Sequence, residues 1–230
     1  MTNIRLIALL AAIVPFIAVH LSYLTAASYG HVDWCFPYID SCTSISATGR
    51  KPPASYIFRG LMLPSAVFMM AYWWVNYAWL QSLAKRSTTG TFTVAHTMLI
   101  LGVFACVGLI LYVTVLGEPG RQWAQQRRIG TILFFSFTFL AQLLLVLQLR
   151  RLSGYIANVP QRLPNAMLRI CQLLLVLGVL TVVLDAWDED GYDTVEDAFE
   201  WVLTLLLQSN FLLGYFVWRH AKWRLEFTNE

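Results

Sequence analysis

Charge is what this chain has least of. Asp, Glu, Lys and Arg make up 13% of its 230 residues, against about 25% in an average soluble domain. Histidine and cysteine are also rare, with four of each. A disordered chain is excluded, because disorder needs low hydrophobicity and high net charge. A soluble enzyme of this length is excluded too, because its surplus apolar surface would face water and aggregate. Four cysteines are too few for a disulfide-dense secreted module, and no Cys/His spacing resembles a zinc site. There is no GxSxG, HExxH or Walker A loop, and no pair of carboxylates at a persuasive catalytic spacing. The reading therefore leans away from an enzyme, and no cofactor and no metal are expected. Internal repeats and low-complexity segments are absent as well.

Hydrocarbon side chains fill the space. Apolar residues make up 58% of the chain, and the mean hydropathy is +0.59. Crossing a bilayer core takes about 20 mostly apolar residues per helix. Six stretches qualify, approximately 4–28, 58–83, 92–117, 128–150, 166–186 and 198–218. None alternates with period two, so a lipid-facing barrel is not expected. In lipid a helix satisfies its own backbone, so all six should be helical. The expected fold class is all-α: residues 1–230 form a single polytopic six-helix bundle with successive helices antiparallel. Residues 4–28 open with a basic Arg5, but their apolar run is too long for a signal-peptide core, so they read as a retained first helix.

Basic residues orient the bundle. With both termini on one side, that side holds Arg5, Lys85, Arg86, Arg150, Arg151, Arg162, Arg169, Arg219, Lys222 and Arg224. The other holds Arg50, Lys51, Arg59, Arg121, Arg127 and Arg128, together with most of the acids. Both termini are thus expected in the cytoplasm, in a plasma membrane or a bacterial inner membrane. The basic residues are a topology signal, so no nucleic-acid partner is implied.

The longest connection, residues 29–57, falls on the outer side. Trp34, Phe36, Tyr38 and Tyr56 suit a membrane interface, and Pro52-Pro53 favours a turn before the second helix. These features predict an ordered cap. Cys35 and Cys42 can bridge if that compartment is oxidising; two free thiols are the alternative. Cys106 and Cys171 read as packing residues inside helices.

Within and after this loop, Phe36, Pro37, Tyr38 and Ile39, then Ser46, Thr48 and Gly49, then Pro53, Ile57 and Phe58 form a recognisable series. The stretch 44–66 resembles the Frag/DRAM/Sfk family of membrane proteins, which includes the damage-regulated autophagy modulators and the second post-GPI-attachment-to-proteins factor. An inserted SCTSI segment departs from the autophagy-modulator form. A second, weaker similarity is RRIGTILFF, Arg127 to Phe135. The resemblance implies a lipid-linked role, either remodelling of GPI-anchor lipid or control of phospholipid distribution. It carries over no catalytic residue.

Ionisable groups inside spans are costly and mark candidate sites. His20 lies about 12 Å below the outer end of the first helix at 1.5 Å per residue. It reads as a neutral imidazole bonded to a neighbouring helix, or as a headgroup contact or general base. His96 sits near the cytoplasmic side and Asp185 near the outer interface. Gln142, Gln208 and Asn210 read as interhelical hydrogen bonding, at about 0.6 kcal/mol each. The second-helix aromatics Tyr72, Trp73, Trp74, Tyr77 and Trp79 read as lipid or packing surface. Arg59, Arg121, Arg127 and Arg128 gather at outer helix ends against the usual bias. They are either interfacial ion-pair partners or forked donors to a phosphate. Asp188, Asp190, Gly191 and Asp197 match part of a calcium loop. Ala186 replaces the first ligand and Asp197 the final Glu, so a solvated acidic turn is the reading.

The function expected is lipid-headgroup binding at the outer leaflet, in lipid remodelling or distribution. The residues expected to carry it are Arg59, Arg127, Arg128, His20 and Asp185, with Ser46, Thr48 and Gly49 of the cap. Two alternatives stand beside it. One is an acyltransferase or hydrolase on a lipid ester, with His20 or His31 as base and Ser44 or Ser46 as nucleophile. The other is a scaffold whose second helix meets a membrane-protein partner through its aromatic face.

Overall fold

A computed structural model describes residues 4–85, 92–156 and 158–221, with only the backbone of Phe92, Glu189 and Asp190. Arg86, Lys222, Arg224, Glu226 and Glu230, which enter the charge balance above, lie outside the described residues. The fold is all-α. Six helices are long and apolar enough to cross a membrane: α1 (Ile4–Ser28), α4 (Ala54–Ala84), α5 (Phe92–Thr114), α6 (Arg121–Arg151), α7 (Arg162–Trp187) and α9 (Glu196–Ala221). Among the described residues three short α-helices join them, α2 (Pro37–Asp40) and α3 (Ile45–Thr48) in the cap and α8 (Glu189–Asp193) before α9, with a 3-10 turn at Ser153–Tyr155 after α6. This is an integral membrane protein.

Each long helix packs beside the next, and α9 returns against α1, so the six close into a ring. Contact is closest between α5 and α6. A Cβ on Gly108 would lie 2.8 Å from Leu133 Cβ and 2.9 Å from Gly130 O, and one on Gly130 would lie 2.6 Å from Gly108 O. Apolar surface has no solvent to flee in lipid, so close backbone approach and dispersion hold helices together. Gly130 sits in the RRIGTILFF segment, which gives that similarity a packing meaning.

Aromatic side chains fill the ring towards the termini. Tyr72, Trp73 and Phe211 are buried and meet edge to face, while Tyr72 stacks on Trp218. Such pairs contribute about 0.5–1.5 kcal/mol each beyond area burial. Polar bonds accompany them. Trp218 Nε1 donates to Asn76 Oδ1 at 3.2 Å, and Gln142 Nε2 donates to Leu207 O at 3.0 Å. Asn210 Nδ2 lies 3.2 Å from Cys171 Sγ. Gln142 and Asn210 thus bond across helices, as their sequence positions suggest. Three of the five second-helix aromatics, Tyr72, Trp73 and Trp79, point inward, and Trp74 is exposed. That leaves a much smaller aromatic face than a scaffold contact through this helix would use.

Helix ends lie within four residues of expectation except in one place. The fourth spanning helix starts at Arg121, not near 128. Its 31 residues extend about 46 Å at 1.5 Å per residue, well beyond a hydrocarbon core of about 30 Å. The first two turns therefore stand clear of the hydrocarbon, where their polar sequence belongs.

Candidate functional site

The site is built at the cap end of the ring. Asp40 accepts the Phe36 N–H at 2.6 Å, and Ser44 Oγ caps α3 by accepting from Ala47 N at 3.1 Å. Cys35 and Cys42 are disulfide-bonded. Pro52-Pro53 is a cis bond, directly before α4.

Hydrogen bonds fasten this cap to α1 and α9. Tyr23 Oη on α1 donates to Cys35 O at 2.7 Å and accepts from Cys35 N at 2.8 Å. Trp201 Nε1 donates to Thr43 O at 2.9 Å. Ser41 Oγ accepts from Ala198 N at 3.2 Å, in the otherwise unsatisfied first turn of α9. Glu200 Oε2 accepts from Ile45 N at 3.1 Å. His20, Tyr38, Tyr23 and Trp201 share one aromatic cluster beneath the cap, with His20 Nε2 2.9 Å from Tyr38 Oη. Burial in this cluster pushes the Tyr38 phenol above its ordinary pKa.

The far edge of the cap rests on α4 and on the end of α5. Thr48 Oγ1 donates to Ile45 O at 2.7 Å. A Cβ on Gly49 would lie 2.7 Å from Phe58 and 2.8 Å from Leu116. The Thr-Gly pair of the loop series is therefore a seat: the threonine closes α3, and the glycine allows contact with two fully buried side chains.

Under the cap the ring is not filled. A cavity of about 30 Å³ is lined by Pro15, Val19, Ile45, Met62, Met69, Leu109, Tyr112, Thr131, Phe134, Phe135, Glu200, Thr204, Leu207, Gln208 and Phe211. That is room for roughly two water-sized groups. Its polar lining is uneven: Glu200, Thr204 and Gln208 descend one face of α9, Tyr112 projects from α5 and Thr131 from α6. Tyr112 Oη and Thr204 Oγ1 are buried without a hydrogen-bond partner. A buried hydroxyl left unpaired costs about 1–3 kcal/mol, so both call for a partner. Glu200 is the one charged residue in the lining.

A second void of about 210 Å³ lies between α6, α7 and α9, lined by Phe135, Ser136, Phe139, Leu174, Leu175, Gly178, Val179, Leu203 and Leu207. Phe135 and Leu207 belong to both linings. A mainly apolar chamber with one polar side under the cap thus adjoins an apolar groove along the bundle side, where α6 and α9 scarcely touch.

The sequence-predicted residues distribute around this site. Arg59 donates to Leu116 O, and Arg127 donates to Val115 O at 3.3 Å and Glu118 O at 2.8 Å. Both satisfy carbonyls at the end of α5, a favourable place for cations. Arg59 Nε remains buried without a partner. Arg128 is exposed, one turn from Thr131 and two from Phe135, on the face of α6 that borders both voids. His20 is spent on Phe16 O and Tyr38. Ser46 accepts from Arg50 Nη2 at 3.0 Å and bonds Ser44 at 3.0 Å, so neither serine meets a histidine. Asp185 is exposed on α7, away from the chamber lining. Asp188 caps α8 through Gly191 N at 3.1 Å. No cluster of three metal-ligating side chains occurs among the described residues.

Glu200, Thr204 and Tyr112 went unmarked in the sequence reading. In the sequence Glu200 stands close behind Glu196 and Asp197, which suit a helix start. The signal for it was Glu200, Thr204 and Gln208 at a spacing of four in an otherwise apolar run, a polar stripe on one helix face.

A family model for the Frag1/DRAM/Sfk1/Cwh43P N-terminal domain matches residues 3–218. The chain belongs to this family. The likeness first read in the 44–66 stretch thus extends across all six spans, and the seat formed by Thr48 and Gly49 is where its clearest motif becomes geometry. No curated protein and no solved structure matches the chain.

Proposed function

We propose that this protein binds a membrane lipid from the side, in the extracytoplasmic leaflet, in the service of lipid remodelling or distribution. The polar group enters beneath the cap, one acyl chain lies in the groove between α6, α7 and α9, and Arg128 meets the phosphate at the entrance. The observation that carries this reading is the meeting of the two voids at Phe135 and Leu207: both are mainly apolar, but the capped one also carries Glu200, Thr204, Gln208, Tyr112 and Thr131, whereas the lateral one has Ser136 as its single polar side chain. A lipid has that division of chemistry along its length. A pocket for a water-soluble molecule would have no use for an apolar extension facing hydrocarbon. Arg supplies a fork matched to phosphate, and the Arg128 position leaves it free of the carbonyls after α5 that occupy Arg59 and Arg127. The cap side is taken as extracytoplasmic from the bias of basic residues towards the termini.

Lipid retained by the full chain, purified in a mild detergent and measured by native mass spectrometry, tests the reading. Leu203→Trp places an indole in the groove and should remove most of the bound lipid. Arg128→Ala should weaken retention of phospholipids several-fold, in line with losing a charge-assisted bond. Full lipid occupancy in Leu203→Trp overturns the proposal.

A further inference from the structure

The chamber lining narrows the headgroup. A carboxylate accepts hydrogen bonds and cannot donate them. Glu200 receives one bond, from Ile45 N, and no other hydrogen bond or ion pair to it is present among the described residues. Beside it stand two hydroxyls without partners, Tyr112 Oη and Thr204 Oγ1. Both hydroxyls can accept as well as donate. An anionic group here would face Glu200 at close range in a low dielectric, which is repulsive. A cationic donor would answer the carboxylate and give both hydroxyls a partner at once. The space admits only a small group, since the cavity holds about 30 Å³. An –NH₃⁺ on a two-carbon stem suits it, whereas a trimethylated ammonium is bulkier and carries no N–H.

We propose that the chamber formed by Glu200, Tyr112 and Thr204 selects a primary ammonium headgroup, and that the lipid bound is an aminophospholipid. This rests on the lateral lipid-binding reading above and adds to it the identity of the polar end. In this arrangement the ammonium lies on Glu200 and the phosphate behind it reaches Arg128 at the entrance. The cap takes part directly, because the carboxylate that holds the ammonium also holds Ile45.

The test uses the full chain in nanodiscs, with dioleoylphosphatidylethanolamine and dioleoylphosphatidylcholine in equal amounts and bound lipid counted by native mass spectrometry. The wild type should retain the ethanolamine lipid about tenfold over the choline lipid, the ratio a charge-assisted bond supplies. Glu200→Gln keeps the shape and an acceptor for Ile45 N–H, and should still retain lipid with the preference gone. Tyr112→Phe removes one hydroxyl without altering the fold of the helix, and should reduce the preference by a few-fold. Equal retention of both lipids by the wild type, or an undiminished preference in either variant, overturns the proposal. Free ethanolamine at millimolar concentration should not displace the lipid; full displacement would mean a soluble amine ligand and would equally overturn it. Failure here leaves lipid in the groove, whereas failure of the lateral-binding reading leaves Leu203→Trp fully occupied, so the two are separable.

Discussion

Replacing Gly49 by alanine is the sharpest probe of how the cap is seated. The added methyl would stand 2.7 Å from Phe58 Cγ, 3.0 Å from Phe58 Cδ2 and 2.8 Å from Leu116 Cδ2. Phe58 and Leu116 are each 0% exposed, so neither has room to retreat. Overpacking of this kind costs about 1–3 kcal/mol. Gly60 offers the internal control. Nothing lies within 4 Å of a Cβ there, and its place within α4 means alanine gains helix propensity, up to about 1 kcal/mol. The two variants add the same methyl group at two glycines eleven residues apart and should move stability in opposite directions. At roughly 2–4 °C per kcal/mol for a chain of this size, Gly49→Ala should lower the melting midpoint in detergent by about 2–12 °C. Gly60→Ala should leave it unchanged or raise it. Limited proteolysis of residues 29–53 should speed up in Gly49→Ala alone. If both variants melt together, the cap is not seated on Phe58 and Leu116, and the geometry derived for the Thr-Gly motif is wrong.

Three further outcomes are expected. Cys35→Ser with Cys42→Ser opens a loop with a sequence separation of 7, and should cost roughly 2–3 kcal/mol by the loop-entropy relation, read as a lower denaturant midpoint. With an impermeant maleimide on intact cells, a cysteine at Lys51 should label, and one at Gly154 only after permeabilisation; the reverse pattern would invert the topology. The raised pKa of Tyr38 means the folded protein holds its phenolic proton when the unfolded chain has begun to lose it. Stability should be fully present below about pH 10, the ordinary tyrosine value, and decline as pH climbs from there through the folded pKa. Tyr38→Phe should remove that alkaline component from a pH series of melting curves.

Much of the architecture was legible because a bilayer imposes a plain rule on composition. Runs of about 20 apolar residues mark the spans, and all six lie where hydropathy puts them. The start of α6 was not legible, since Arg121–Arg128 is polar and helical at once, and hydropathy reads polarity alone. The arginines were correctly placed at one end of the bundle, but their partners were not. Arg59 and Arg127 serve backbone carbonyls of the turn that follows α5, which no side-chain pattern reports. Glu200 escaped because it stands four residues into α9, where acidic residues also suit the helix dipole. Only folding the 29–53 segment back over α9 shows that this carboxylate faces inward beneath Ile45.

One helix is held differently from the others. The face of α7 carrying Leu173, Leu175, Val176, Val179, Val182 and Val183 is exposed, and α7 is the least buried of the six spans. Leu174, Leu175, Gly178 and Val179 of that same helix form one side of the groove. In the proposed lipid-binding role hydrocarbon replaces those exposed contacts at little cost, so α7 is the wall that would yield to an acyl chain while the cap bonds on α1 and α9 stay made. Under that proposal exchange of occupants falls to the least buried wall, and recognition to the one tied to the cap.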